Sequence, residues 1–198
     1  TEAGGTNNAT AGTPNASGTL FISDFDAGQS NFQAPSATSL VGTYGTFAFN
    51  AATGSWTYAL DNTKAATQGL IAGQVAHDTL TVTSNDGTVS QTIDITVNGS
   101  NDNASIGGTA IGSVTEAGGA GNAGAGVSST SGLLSITDVD TAQAVFQTPS
   151  AASLNGNFGT FTFNASTGAW TYTLDNAKSS TQALVAGQVA HDTLTVTS

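Results

Sequence analysis

The sequence predicts an all-β protein made of two tandem antiparallel β-sandwiches. Three observations support this prediction: a gapless internal repeat, short runs in which apolar and polar residues alternate, and a composition dominated by Thr, Val, Ser, Asn, Ala and Gly. Most of these residue types favour strands and turns over helices. The long helical patterns that the crossovers of a parallel sheet require are missing.

The repeat has a period of 114 residues. The segment 72–84, "AGQVAHDTLTVTS", recurs unchanged at 186–198, and "TEAG" at 1–4 recurs at 115–118. Residues 1–84 and 115–198 align without a gap, and 55 of these 84 positions are identical. Self-similarity of this kind indicates the tandem duplication of one structural module.

Alternating runs within each copy predict the strands. Phe47 and Phe49 share one face of "GTFAFN" (45–50), while Trp56, Tyr58 and Leu60 share one face of "SWTYAL" (55–60). The short loop 51–54 ends in Gly and predicts a hairpin between them. Further strands are predicted at 19–23, 79–83 and 89–97, the last two joined by the turn at 85–87; segment 61–76 fits a short helical turn or a loop. We expect the aromatic side chains to form the core.

The two copies are cut at different points of the repeat. We expect a first domain at 1–100, a linker at 101–104 and a second domain at 105–198. The first domain has no counterpart of "SIGGTAIGSV" (105–114), its opening strand, and the second has none of "TVSQTIDITV" (88–97), its closing strand. Either the chain is a slice of a longer array, or neighbouring subunits donate the missing strands and so build a fibre.

The charge of the chain is strongly negative, with 13 acidic residues, two lysines and no arginine. A nucleic-acid-binding surface or an affinity for anionic membranes requires a basic patch, which two lysines do not supply. No apolar run approaches the roughly 18 residues of a membrane span, so we expect no membrane insertion. The acidic residues either keep the surface soluble or bind a divalent cation.

No catalytic constellation is recognisable, so we expect no enzymatic activity and no catalytic residue. The chain has no Cys, no Gly-x-Ser-x-Gly motif and no zinc-type His cluster. His77 and His191 each precede an aspartate and are interpreted as structural. Composition leaves a paired-carboxylate glycosidase open, but the Asp residues fall at the predicted domain junction rather than in an evident cleft.

Carboxylates and amides concentrate at predicted strand ends and in the linker. An Asp-x-Asp pair follows the strand at 19–23 and its repeat counterpart, and residues i and i+2 of an extended chain point the same way. Two carboxylates about 4 Å apart repel by roughly 4 kcal/mol at an effective dielectric of about 20, and flexible sites rich in oxygen suit Ca²⁺. We therefore predict Ca²⁺ as a cofactor, with ligands drawn from Asn101, Asp102, Asn103, Asp138, Asp140, Glu2, Asp78, Asp61, Glu116, Asp24 and Asp26.

Several segments, in order, resemble the VCBS repeat of very large bacterial surface proteins. They are "GTYGTFAFNAATGSWTYALDN" (42–62), "AGQVAHDTLTVTSNDGT" (72–88) and "ITVNGSNDN" (95–103), together with the Asp-x-Asp pairs. The linker 101–103 followed by Asp138-x-Asp140 is also similar to the calcium-binding arrangement between cadherin domains, although Gly99 stands where that linker has its first aspartate.

This resemblance implies immunoglobulin-like or cadherin-like sandwiches in a secreted, RTX-type adhesin of the bacterial cell surface, where such repeats act as a stalk and contribute to adhesion and biofilm. The partners would be neighbouring repeats of the chain or neighbouring subunits of a fibre, and other domains would bind a surface glycan or protein. The alternative is that this chain itself binds a carbohydrate or protein through loops such as 7–15, whose sequence differs between the copies.

Overall fold

The computed structural model describes all 198 residues, Thr1–Ser198. Every strand pairing is antiparallel, and the only helices longer than three residues have four residues each, so the all-β prediction is confirmed. The strands are β1 (Asn15–Thr19), β2 (Gly45–Phe49), β3 (Ser55–Leu60), β4 (Val75–Thr83), β5 (Ser90–Asn98), β6 (Ser105–Gly108), β7 (Ser129–Thr137), β8 (Gly159–Phe163) and β9 (Ala169–Leu174). The helices are α1 (Ala65–Gln68) and α2 (Ser179–Gln182), with 3-10 turns at Thr6–Asn8 and Ala120–Asn122.

The chain forms two compact units. Unit 1 consists of Thr1–Asn103 together with Val139–Thr141, and unit 2 consists of Ala104–Asp138 together with Ala142–Ser198. No helix is long and apolar enough to cross a membrane.

Unit 1 contains a three-stranded sheet of order β1-β3-β2 and the hairpin β4–β5. The predicted hairpin of β2 and β3 is confirmed, with Phe47 opposite Tyr58 and Phe49 opposite Trp56. The loop closes because the Asn50 side chain accepts the amides of residues 52 and 53, and Gly54 adopts a φ of 69°. A left-handed backbone of this kind favours glycine, which is the residue that both copies carry there.

The hairpin of β4 and β5 is also confirmed, and β4 is longer than predicted. It begins at Val75 rather than at residue 79, because all nine of its residues pair with β5. The turn is held by Asp86, whose carboxylate accepts the hydroxyls of Ser84 and Thr88 at 2.5 and 2.7 Å. The ambiguous segment before β4 contains the single helical turn α1.

The core of unit 1 joins the two sheets. Side chains at alternate strand positions, together with Leu70 from the segment after α1, form one buried cluster, as the period of two along a strand requires. Its members are Phe47, Tyr58, Leu70, Leu80, Val82, Ile93, Ile95 and Val97. The expectation of an aromatic core is confirmed for Phe47 and Tyr58, while Trp56 is only half-buried.

Unit 2 contains one four-stranded sheet of order β6-β7-β9-β8 and a smaller core of Trp170, Tyr172 and Leu174. Residues 189–197 repeat the sequence of β4 but form no strand, because no second strand pairs with them. Leu194 is accordingly half-buried, whereas its counterpart Leu80 is 1% exposed.

The predicted strand at 19–23 is wrong for unit 1 and correct for unit 2. In unit 1, β1 ends at Thr19 and residues 20–23 form no strand. The counterpart residues 134–137 belong to β7, because they pair with β6. The same sequence pattern therefore forms a strand only where a partner strand is present.

Candidate functional site

Three of the predicted ligands form a buried acidic group in unit 1. Glu2, Asp102 and Asp140 are 1%, 4% and 2% exposed, so their carboxylates are almost fully removed from solvent. Charged residues are rarely buried to this degree, since the loss of hydration costs several kcal/mol for each ion. We call these three residues the carboxylate cluster.

Glu2 is held by the segment that follows β5. Its backbone amide donates to the carbonyl of Asn98 at 3.0 Å, and its carboxylate accepts the amide of Ser100 at 3.3 Å. The side chain of Gln68, at the end of α1, donates to the other carboxylate oxygen at 3.2 Å. Gly4 permits this close approach, because a Cβ there would lie 2.3 Å from the hydroxyl of Ser100.

Asp102 and Asp140 are joined directly. The backbone amide of Asp102 donates to Oδ2 of Asp140 at 2.9 Å, and Gly5 forms a parallel bridge with Asp102. Thr141 extends the attachment, since its hydroxyl donates to the carbonyl of Gly69 at 2.7 Å. The second Asp-x-Asp pair thus contributes one carboxylate to the cluster.

The carboxylates oppose one another's ionisation. Burial, together with the negative charges of Asp102 and Asp140, raises the pKa of Glu2 to about 7, against the opposing effect of the hydrogen bonds from Ser100 and Gln68. The lysine side chains donate hydrogen bonds to backbone carbonyls away from these carboxylates. The chain has no arginine, and Lys64 Nζ donates to the carbonyl of Gly42 at 2.7 Å.

The donor set of the cluster consists entirely of hard oxygen atoms, which are the ligands of Ca²⁺. In this arrangement, no group of three or more His, Cys, Asp or Glu side chains has the geometry to hold a metal ion. The carboxylates are therefore neighbours held by backbone amides rather than a formed coordination shell. Backbone carbonyls, such as that of Asn101, lie within the same segment.

Asn101 and Asn103 flank the cluster and are exposed. The Asn101 side chain donates to the carbonyl of Asp102 at 2.6 Å, and the Asn103 side chain donates to the hydroxyl of Thr6 at 2.8 Å. Both amides fix the path of the chain around Asp102.

Asp78 has its own, different surroundings. Its carboxylate accepts the amides of Thr43, Tyr44 and Gly45 at 2.7, 2.9 and 2.9 Å and the hydroxyl of Tyr58 at 2.7 Å. Four donors satisfy a carboxylate without any metal. Asp78 therefore anchors the start of β2 to β4.

Asp192, the counterpart of Asp78, repeats this arrangement in unit 2. It accepts the amides of residues 157–159 and the hydroxyl of Tyr172. Burial raises the pKa of Asp192, but these hydrogen bonds outweigh burial and hold it below the ordinary value. Burial and the hydrogen bond to this carboxylate also raise the pKa of Tyr172.

The remaining predicted ligands make local contacts. Asp61 accepts the hydroxyl and amide of Thr63, which lower its pKa. Asp24 accepts the amide of Asp26 at 2.8 Å, so this pair forms a turn rather than the extended geometry assumed from the sequence. Glu116 accepts the side chain of Gln182 at 3.1 Å, and Asp138 is half-buried in unit 2.

Sequence reasoning missed two residues that hold the cluster, Gln68 and Ser100. A signal for Gln68 was present, because Glu2 with Gln68 and Glu116 with Gln182 are conserved between the copies at the same separation of 66 residues. Ser100 acts through its backbone amide, which no side-chain pattern reveals. His77 pairs with Asp94 at 2.8 Å on the surface, where such pairs contribute little.

Comparisons with known proteins add no family: no family model, no curated protein and no solved structure matches this chain.

Proposed function

We propose that this chain is a pair of consecutive structural repeats from the stalk of a secreted bacterial surface adhesin or extracellular fibre, of the VCBS type. The observation that carries the proposal is the repetition of one module, with 55 of 84 aligned positions identical and the same internal anchors in both copies. Asp78 and Asp192 accept equivalent sets of amides, and Lys64 and Lys178 donate to equivalent carbonyls. Repeated modules of this kind build extended arrays.

Each module would be an immunoglobulin-like or cadherin-like β-sandwich when its full set of strands is present. Unit 1 supports this architecture, because a three-stranded sheet and a hairpin share one buried cluster. Unit 2 carries β6, which unit 1 lacks, and unit 1 carries β5, which unit 2 lacks. A module that carried the counterparts of both β6 and β5 would have the full set of strands.

The carboxylate cluster would bind Ca²⁺ by drawing the carboxylates of Glu2, Asp102 and Asp140 together as ligands, because their arrangement without the ion is not a formed coordination shell. Three buried carboxylates and a pKa of about 7 at Glu2 support this assignment, since a divalent cation would remove their mutual repulsion. Bound calcium supplies positive charge where no arginine or lysine does. The ligands come from both ends of the first repeat and from residue 140 of the second, so the ion would fix the course of the chain between the repeats.

Calorimetric titration of metal-free protein with Ca²⁺ tests the assignment. Asp140→Asn keeps the shape of the side chain and removes its charge, and Asp26→Asn is the matched control at the counterpart position, where the residue is exposed. We expect the parent chain and Asp26→Asn to bind calcium alike, and Asp140→Asn to bind at least about tenfold more weakly. Equal affinities of the two variants, or no calcium uptake by the parent chain, would refute the site.

A further inference from the structure

Gln68, which donates a hydrogen bond to Glu2, is itself held by Asn8. The two side-chain amides exchange two hydrogen bonds: Asn8 Nδ2 donates to Gln68 Oε1 at 2.9 Å, and Gln68 Nε2 donates to Asn8 Oδ1 at 3.2 Å. The second N–H of Gln68 Nε2 is the one that donates to Oε1 of Glu2, also at 3.2 Å. Bonds in both directions determine which way the Gln68 amide faces, so its nitrogen rather than its oxygen meets the carboxylate.

Asn8 is a side chain that the backbone alone does not require. It ends the 3-10 turn Thr6–Asn8 with a φ of 56°, and Asn7, which is exposed, has a φ of 54°. Glycine and asparagine are the residues that tolerate this left-handed backbone best. The second copy carries Gly121 in place of Asn7 but keeps Asn8 as Asn122, the one position of the turn that the copies share. A glycine would serve the backbone at both positions, so the retained amide indicates a role for the side chain.

The carboxylate of Glu2 receives one donor on each oxygen. Gln68 donates to Oε1 at 3.2 Å, and the backbone amide of Ser100 donates to Oε2 at 3.3 Å. One donor on either side fixes the plane of the carboxylate, while each oxygen keeps a further lone pair. A carboxylate held in this symmetric way offers both oxygens together to one ion.

Calcium and magnesium use carboxylates differently. Ca²⁺ accepts bidentate carboxylates at roughly 2.3–2.6 Å, whereas Mg²⁺ requires near-octahedral geometry at roughly 2.0–2.1 Å and keeps several of its waters. A glutamate fixed for bidentate contact therefore favours the larger ion, and a glutamate that is free to turn can meet Mg²⁺ with a single oxygen. Glu2 is also 1% exposed, which leaves little space beside it for the waters that Mg²⁺ retains.

We propose that Asn8 and Gln68 set the preference of the carboxylate cluster for Ca²⁺ over Mg²⁺. The proposal rests on the calcium site proposed above, and the two residues are positioning residues because they act through Glu2. Asn8 orients the amide of Gln68, and Gln68 together with the amide of Ser100 holds Glu2 for bidentate contact. Without the Asn8 side chain, the Gln68 amide is free to rotate, and Glu2 can turn one oxygen towards the smaller ion.

The test measures the dissociation constants of the full chain for Ca²⁺, by calorimetric titration of metal-free protein, and for Mg²⁺, by its competition with Ca²⁺. Asn8→Gly removes the side-chain amide and keeps the left-handed backbone, and its control is Asn7→Gly, the substitution that the second copy carries. Gln68→Met removes the polar atoms and keeps the length of the side chain. Its control is Gln182→Met, the same change at the counterpart position in unit 2.

We expect the preference for Ca²⁺, measured as the ratio of the two dissociation constants, to fall at least about tenfold in Asn8→Gly and Gln68→Met and to stay unchanged in both controls. A purely structural role would weaken the binding of both ions alike. An unchanged ratio in Asn8→Gly and Gln68→Met would therefore overturn the proposal and leave the calcium site in place. No calcium uptake by the parent chain would overturn both.

Infrared spectroscopy reads the carboxylate itself. The chain has two glutamates, Glu2 and Glu116, so ¹³C-labelled glutamate in a Glu116→Gln background reports on Glu2 alone. The antisymmetric and symmetric carboxylate stretches move closer together when both oxygens bind one ion. We expect calcium to narrow this separation for Glu2 in the parent background but not when Asn8→Gly is added. The same narrowing in both proteins would overturn the proposal.

Discussion

Replacing Asp78 with asparagine tests the account of how unit 1 is anchored. Oδ1 accepts the amide of Thr43, and Oδ2 accepts two further amides and the hydroxyl of Tyr58, all between 2.7 and 2.9 Å. Asparagine has one acceptor oxygen, so its NH₂ group must face at least one of these donors. The lost charge-assisted bond costs about 1.5–3 kcal/mol, and the three remaining bonds become weaker. We expect a loss of about 3 kcal/mol in the free energy of unfolding of unit 1.

The assay is urea unfolding followed by tryptophan fluorescence in a Trp170→Phe background, in which Trp56 reports on unit 1 alone. The matched control is Asp94→Asn on the neighbouring strand, where the carboxylate is 55% exposed and pairs with His77. Surface pairs of this kind are worth at most about 1 kcal/mol. We expect Asp78→Asn to lower the free energy of unfolding by about 3 kcal/mol, whereas Asp94→Asn lowers it by at most about 1 kcal/mol. If the two variants unfold alike, the hydrogen bonds of Asp78 do not anchor the fold and the reasoning is refuted.

Three further predictions concern the same unit. In chelator, the free energy of unfolding should fall as the pH rises from 5 to 8, because folding raises the pKa of Glu2 from 4.5 to about 7 and the folded state holds the extra proton only below that value. The raised pKa of Glu2 contributes about 3 kcal/mol to this change in the free energy of unfolding, and Glu2→Gln should remove it. The same pH dependence in both proteins would contradict the raised pKa of Glu2. Tyr58→Phe should destabilise the unit by about 1–2 kcal/mol in urea unfolding, because Asp78 loses its hydroxyl donor. Gly42→Ala should cost unit 1 more than about 2 kcal/mol, because its Cβ would lie 2.2 Å from Asp78 Oδ2. The control is Gly118→Ala in unit 2, whose Cβ meets no atom within 4 Å and which should leave the melting of unit 2 nearly unchanged.

Much of the fold is predictable because it is specified locally. The hairpin of β2 and β3 follows from alternating residues and a glycine with positive φ, and both copies repeat these features. The strand at 19–23 is not predictable in the same way. Its apolar and polar residues alternate as in a strand, but the segment becomes a strand only when another segment pairs with it. In unit 2 the pairing segment is β6, which precedes the repeat in the chain.

The candidate site was predictable only in part. The sequence placed Asp102 and Asp140 together because the linker and the second Asp-x-Asp pair both carry carboxylates, and Asp102 does donate its amide to Asp140. The sequence also groups Asp78 with them, because it is acidic and lies near a loop. Its four hydrogen-bond donors come from distant parts of the chain, and no residue spacing reveals a carboxylate buried in this way.

The central claim, a calcium-stiffened stalk, is tested most directly by small-angle scattering of the chain extended to include both missing strands, first with calcium and then with chelator. The account predicts a longer maximum dimension and a narrower distance distribution with calcium, and a loss of both in chelator and in Asp140→Asn. Scattering profiles that superimpose in the two conditions would contradict it.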